Sequence, residues 1–255
     1  MRLVLRSVGW LFITAGAVVA LYLVYSLYWT GRTTSGAQER LLEELAQATN
    51  SESESDFDLE VGPLSELDAD GSDPTAEIPQ SEPSPGEAIA AQFEEGDAIG
   101  LIEFYRPSED TSIVIDDPVV VVEGVSIEVL KEGPGRYPST SYPGQPGNFA
   151  VAGHRTTYGA PFWNLDQLQD GDEIHVTDRE GTTWIYEFSE EVIVAPADVS
   201  VLDANPLESD RPVLTLTTCH PRWSQRERLI VHAELSEEQM PLVAAGTIAI
   251  GEGAP

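Results

Sequence analysis

From about Ala98 onward, apolar residues come in short runs of strand length: AIGLIEF, TSIVIDD, VVVVEG, NFAVAG, EIHVTD, TWIYEF, VIVA, VLTLTT and RLIVHAEL. Turn-forming clusters such as GPG, YPGQPGN, QDGD and REG separate them. Many short strands at this spacing predict an all-β, closed or nearly closed domain over residues 98–240, with only 125–131 and 161–168 reading as helical. In VLTLTTCHP, alternation puts Leu214 and Leu216 on one face and Val213, Thr215, Thr217 and Cys219 on the other. In RERLIVHAEL, Leu229, Val231 and Ala233 form an apolar stripe, which leaves Arg228, Ile230 and His232 opposite. The intervening HPRWSQRE is long enough for a loop, so the two segments read as antiparallel neighbours with Cys219 and Arg228 on the same side. NFAVAGHRTTYG reads as a strand ending in Gly-His, which sets His154 at a strand end.

The pattern before Ala98 is different. Residues 8–29 (VGWLFITAGAVVALYLVYSLYW) carry no charge. As a helix rising 1.5 Å per residue they match a hydrocarbon core of about 30 Å. Trp10 at one end and Tyr25, Tyr28 and Trp29 at the other resemble interfacial belts. The run is too long for a cleaved signal peptide, and SLYWTGR is a poor cleavage site. Residues 1–34 are therefore expected to be a signal anchor in membrane lipid, with Arg2 and Arg6 on the cytoplasmic side and the rest of the chain outside the cell. Residues 35–97 are rich in Ser, Glu, Asp and Pro and poor in aromatics, a composition expected to stay disordered as an acidic tether. Within it, 41–48 (LLEELAQA) is the one stretch with helical character. Residues 241–255 form an apolar, Gly-containing tail with no assigned role.

The net charge is −31, shared between tether and domain. Such acidity excludes nucleic acid as a partner, because phosphate binding relies on Lys and Arg. The chain has one cysteine, so no internal disulfide and no multi-cysteine metal site can form. A thiol with a pKa of about 8.5 is only about 3% thiolate at pH 7, so a reactive Cys219 needs an imidazole nearby. Acyl transfer also builds negative charge on a carbonyl oxygen, which a permanently charged guanidinium can meet. Arg222 and Arg226 compete with Arg228 for that place, and strand parity favours Arg228. His175, His220 and His232 lack matching context and receive no role. Two rival chemistries fail on spacing: a Cys-x5-Arg phosphatase loop, because Gln225 occupies the sixth position after Cys219, and an L,D-transpeptidase, because Thr217 and Thr218 precede the cysteine in place of His-Gly. A tethered wall-binding scaffold without activity would not need Cys219, His154 and Arg228 together.

TLTTC, AVAGHR and the R-L-I-V segment resemble the signature elements of sortases, and the likeness extends over about Ile102 to Leu235. The segments EVLKEGPGRYP, GNFAVAGHRTTYGAPFWNLD and TTCHPRWSQRERLIVHAEL are most similar to class E sortases of actinobacteria. The resemblance implies an eight-stranded sortase β-barrel with one or two short helices, and His154, Cys219 and Arg228 lining a groove. It implies a cysteine transpeptidase that cleaves an LAxTG or LPxTG-like sorting signal between Thr and Gly through an acyl-enzyme. A peptidoglycan-precursor amine then takes up the secreted protein, or a lysine of another subunit does so in pilin polymerisation. It further implies substrate contacts at Tyr142, with Thr218 beside the oxyanion and residues 195–210 shaping the groove. The calcium motif of some relatives has no match, so neither metal nor cofactor is expected.

Overall fold

The computed structural model describes residues 2–54 and 92–243. Among these, eight strands close a barrel. In chain order they are β1 (Ala98–Arg106), β3 (Val119–Glu123), β4 (Gly135–Arg136), β5 (Asn148–Ala152), β6 (Glu173–Asp178), β7 (Thr183–Val194), β8 (Val213–His220) and β9 (Glu227–Leu235). The ring runs β1-β3-β4-β5-β8-β9-β7-β6 and closes through β1–β6, while β2 (Thr111–Ser112) pairs at the end of β1. Two of these pairings, β3–β4 and β5–β8, are parallel. The eight-stranded barrel expected from the resemblance is the architecture found. In detail, TWIYEF and VIVA join into the single strand β7, and only Thr111–Ser112 of TSIVIDD enters the ladder. Gly135–Arg136, read as a turn, is a short strand. Of the two expected helices, the first is α2 (Ile127–Glu132), capped by Ser126, and the second is only a 3-10 turn, Leu165–Gln167.

The barrel interior holds Ile102, Phe104, Phe149, Phe162, Ile174, Tyr186, Leu214, Val231 and their neighbours. A second apolar cluster sits outside it: Leu41, Leu45, Ala98, Val120, Val122 and Val129. Leu41 and Leu45 belong to α1 (Arg2–Glu54), one 53-residue helix. The first part of the tether expected from residue 35 is therefore helical as far as Glu54, and residues 34–49 dock on the barrel. Thr34 Oγ1 donates to Lys131 O at 2.8 Å, and Thr49 Oγ1 to Arg179 O at 3.0 Å. Gln38 pairs with Val120 much as a neighbouring strand would: its Oε1 accepts from the Val120 amide at 2.7 Å and its Nε2 donates to the Val120 carbonyl at 3.2 Å. Two leucines one helical turn apart were enough to bury a stripe that overall composition concealed. The rest of the expected tether, 55–91, and most of the tail, 244–255, lie outside the described residues.

The N-terminal part of α1 stands clear of the barrel, with Trp10, Leu11, Phe12, Ile13, Leu21 and Tyr22 64–70% exposed. Among the described residues, no helix is long and apolar enough to cross a membrane, and part of the expected span over 8–29 has side chains that lie outside the description.

Candidate active site

Strand β8 lies between β5 and β9. The register pairs Ala152 with Thr217 on one side and Cys219 with Arg228 on the other. The Gly153 amide donates to Thr217 O at 3.0 Å, which carries the parallel pairing one residue past β5 and sets His154 level with Cys219. Phe149, Val151, Leu214, Leu216, Leu229 and Val231 face the core, so alternation turns His154, Cys219 and Arg228 outward. With neighbouring strands roughly 4.8 Å apart, the imidazole, thiol and guanidinium occupy the same end of three adjacent strands, with the thiol in the middle.

Local packing explains how the histidine is held. A Cβ on Gly153 would come within 2.5 Å of the Phe162 ring, so only glycine lets that ring close under the chain just before His154. Thr218 Oγ1 donates to Gly153 O at 2.7 Å, and the Phe162 amide donates to His154 O at 3.2 Å. The imidazole lies 4.9 Å from the Tyr158 ring, and burial lowers its pKa below the usual histidine value. It is therefore neutral near pH 7 and able to accept a proton. Cys219 is half-buried and unpaired. Arg228 Nη1 donates to the carbonyls of Gln225 and Glu227 at 3.1 and 3.0 Å. The competing arginines are placed elsewhere. Arg222 binds Trp163 O and Asp166 and lies over the Trp163 ring, while Arg226 bonds only locally, to Ser224.

The outer face behind these residues is polar and satisfied. Asn148 Nδ2 donates to Val201 O at 3.1 Å and Asp203 O at 3.0 Å, which fastens the segment between β7 and β8 over the sheet. Thr215 Oγ1 donates to Asn148 Oδ1 at 2.7 Å. Having spent its proton there, it accepts from His232 Nδ1 at 2.9 Å. Tyr137 OH meets Thr217 Oγ1 at 3.1 Å and is half-buried beside the groove.

Two expected substrate contacts have buried side chains. Tyr142 is 5% exposed, stacked on Phe93 and bonded through its hydroxyl to Arg136 and Glu123. Burial pushes its pKa up to about 12. Thr218 is 2% exposed because parity turns it away from the face that carries Cys219, and its hydroxyl is used by Gly153. Neither side chain lies on the outward face of Cys219.

A group without an assigned role lies on the opposite face. Arg155 and His220, the residues after His154 and Cys219, turn inward and meet, with Arg155 Nη1 3.0 Å from His220 Nδ1. Arg155 also reaches Asp166 at 2.7 Å, and Asp166 holds Arg222 at 2.8 Å. The Nε of Arg155 is buried without a partner, a state that costs about 1–3 kcal/mol. Alternation continued one residue beyond GH and TC pointed inward at both positions, but only the folded chain shows that they touch. A cleft of about 620 Å³ lies elsewhere, between α1, residues 115–119 and the 158–161 loop. Tyr158 is the side chain it shares with the surroundings of His154. Among the described residues no group of three or more His, Cys, Asp or Glu is placed to hold a metal ion.

Comparison with known proteins bears on the family. The Sortase domain family model matches residues 113–236. Sortase SrtE1 of Streptomyces coelicolor is 29% identical over 246 residues, covering 92% of this chain, and the chain spans 58% of that relative's length. The solved sortase E of Streptomyces avermitilis is 38% identical, with 57% of this chain and 91% of that one covered and a TM-score of 0.47. The Clostridium perfringens Sortase D5 transpeptidase is 28% identical with a TM-score of 0.54, covering 79% of this chain and 99% of that one. The family-model match and these relatives show that the chain belongs to the sortase family of cysteine transpeptidases and is similar to its class E members.

Proposed function

We propose that Cys219 is the nucleophile of this transpeptidase, His154 its proton carrier and Arg228 its oxyanion stabiliser, acting on an LAxTG or LPxTG-like sorting signal of a secreted protein. Cys219 Sγ attacks the threonine carbonyl carbon while its proton passes to His154, and the guanidinium of Arg228 meets the charge that develops on the oxygen. Collapse breaks the Thr–Gly bond, the departing glycine amine takes the proton from His154, and a thioester remains on Cys219. An amine of the cell-wall precursor attacks that thioester and forms an amide as the C–S bond breaks, and its proton passes through His154 to the departing sulfur, which regenerates the thiol. The reading rests above all on the β5-β8-β9 register, which aligns these three side chains although His154 and Cys219 are far apart in sequence.

We also infer that residues 8–29 span the cell membrane and hold the barrel on the extracellular side. The exposed apolar side chains of α1 support this, and the five residues from Trp29 to the docked Thr34 give a rise of roughly 8 Å. The barrel would then sit close to the lipid surface, not at the end of a long tether.

The test is turnover of fluorogenic LAxTG and LPxTG peptides by the full chain, with the thioester adduct followed by mass spectrometry. Cys219→Ala should give no adduct, and His154→Ala and Arg228→Ala should each lose roughly a thousandfold in kcat/KM. Turnover of neither peptide between about pH 6 and 9, or an active Cys219→Ala, sinks the proposal. For the membrane reading, the full chain should remain with vesicles after alkaline carbonate washing, whereas recovery in the wash would overturn it.

A further inference from the structure

On the inner face of the barrel, Arg155 is 2% exposed and its guanidinium is committed to three partners. Nη2 pairs with Asp166 at 2.7 Å. Nη1 lies 3.0 Å from His220 Nδ1 and 3.5 Å from the carbonyl oxygen of Cys219. A guanidinium has no lone pair to offer, so the bond requires His220 Nδ1 to be the acceptor and the ring proton to sit on Nε2. Asp166 holds Arg222 as well, and Arg222 donates to Trp163 O at 3.2 and 2.9 Å. Three segments are thus tied at one point: 154–155 after β5, 163–166 before β6, and 219–222 at the end of β8.

Each end of the Arg155–His220 bond is the immediate neighbour of a residue on the reactive face. His154 precedes Arg155 outward, and Cys219 precedes His220 outward. The backbone pairing of β5 with β8 has its last bond at Gly153, so beyond that point no ladder sets the gap between the two chains. The bond beneath is what remains to set it. We propose that Arg155 is a positioning residue for transpeptidation: through its bond to His220 Nδ1 and its pairing with Asp166, it fixes the separation of the His154 ring from the Cys219 sulfur. Proton transfer and attack tolerate little error in such a separation, and a misplacement of about 1 Å costs on the order of a hundredfold in rate.

The proposal rests on the reading of His154 and Cys219 as the reactive pair, and the experiment separates the two. In the full chain, Arg155→Met, His220→Leu and the double variant are compared with His220→Asn, whose Oδ1 offers an acceptor where Nδ1 sits. Turnover of a fluorogenic LAxTG or LPxTG peptide and the rate of Cys219 alkylation by iodoacetamide are measured beside thermal stability. His220→Leu should lower kcat about a hundredfold with KM within about threefold, and His220→Asn should recover activity to within about threefold of the parent. The double variant should be no slower than the worse single one, because both remove the same bond. Full kcat in His220→Leu, no recovery in His220→Asn, or losses that multiply in the double variant would overturn the role of Arg155. Turnover that persists in Cys219→Ala or His154→Ala would instead overturn the reading beneath it. Since His220 is half-exposed, its variants keep the test open even where Arg155→Met fails to fold.

Discussion

Strands β3 and β8 are both rich in β-branched residues and both send one face into the barrel, yet their outer faces are put to opposite uses. In β3, Val119 and Val121 point inward while Val120 and Val122 point outward under Leu41 and Leu45 of α1. That strand is apolar on both sides because both sides are dry. In β8 the inward Leu214 and Leu216 alternate with Thr215, Thr217 and Cys219, and Thr215 and Thr217 share hydrogen bonds with Asn148, His232 and Tyr137. One outer face carries an apolar attachment, and the other carries chemistry that needs orientation and access. The contrast separates residues that hold the barrel to its helix from residues that hold a thiol ready.

The largest effect should come from spoiling the dry face. Leu41→Asp puts a carboxylate at a site 1% exposed and should cost roughly 3–5 kcal/mol in denaturant unfolding, while kcat well below the transition stays within about twofold. A large loss of kcat with unchanged stability would erase the distinction between the two faces.

The polar face should respond to acid instead. Burial lowers His232 to about 4, below its ordinary value near 6.5, so the native state holds it neutral while the unfolded chain takes up a proton below that value. Its contribution is fully present above about pH 6.5 and is lost as pH falls towards 4, on the order of 3 kcal/mol in all. His154, lowered by burial, acts in the same direction, whereas Asp178, Glu180 and Glu191, raised by burial, act in the opposite one. The measurement is therefore the difference in unfolding free energy between the parent and His232→Gln across that range, and identical slopes would refute it.

Smaller effects refine the helix attachment. Gln38→Ala removes the side-chain amide that pairs with both backbone groups of Val120 and should cost about 1–2 kcal/mol by thermal unfolding. Arg40→Ala breaks the ion pair with Glu132, whose side chains are 63% and 39% exposed, and should change stability by less than about 0.5 kcal/mol. The reverse ranking would mean that exposed charge, not the strand-like amide pair, holds α1 in place.

Much of the barrel was legible along the chain because alternation is a local property. Val213 to Cys219 and Arg228 to Leu235 carry their inward and outward assignments in consecutive letters, and the pairing of Cys219 with Arg228 follows from a single short loop. The Val119–Val122 run showed no alternation, and its two-sided burial waited on a helix from far upstream. The burial of Tyr142 was hidden for a related reason. The resemblance implied a substrate contact there, while Arg136 lies over its ring at 3.8 Å and Glu123 accepts from its hydroxyl. No local pattern announces a buried ion pair as its destination.

The sequence by itself determined the strand-forming segments, the side of its strand that the lone thiol takes, and the guanidinium beside it, because each depends on residues within one hairpin's reach. Only the tertiary structure decided that β5 runs parallel to β8, that His154 therefore arrives level with Cys219, that Arg155 and His220 meet beneath them, and that α1 closes over β3. Parallel pairing and helix docking join segments separated by many residues, and their selection depends on the apolar surface they bury together, a quantity that exists only once the chain has folded.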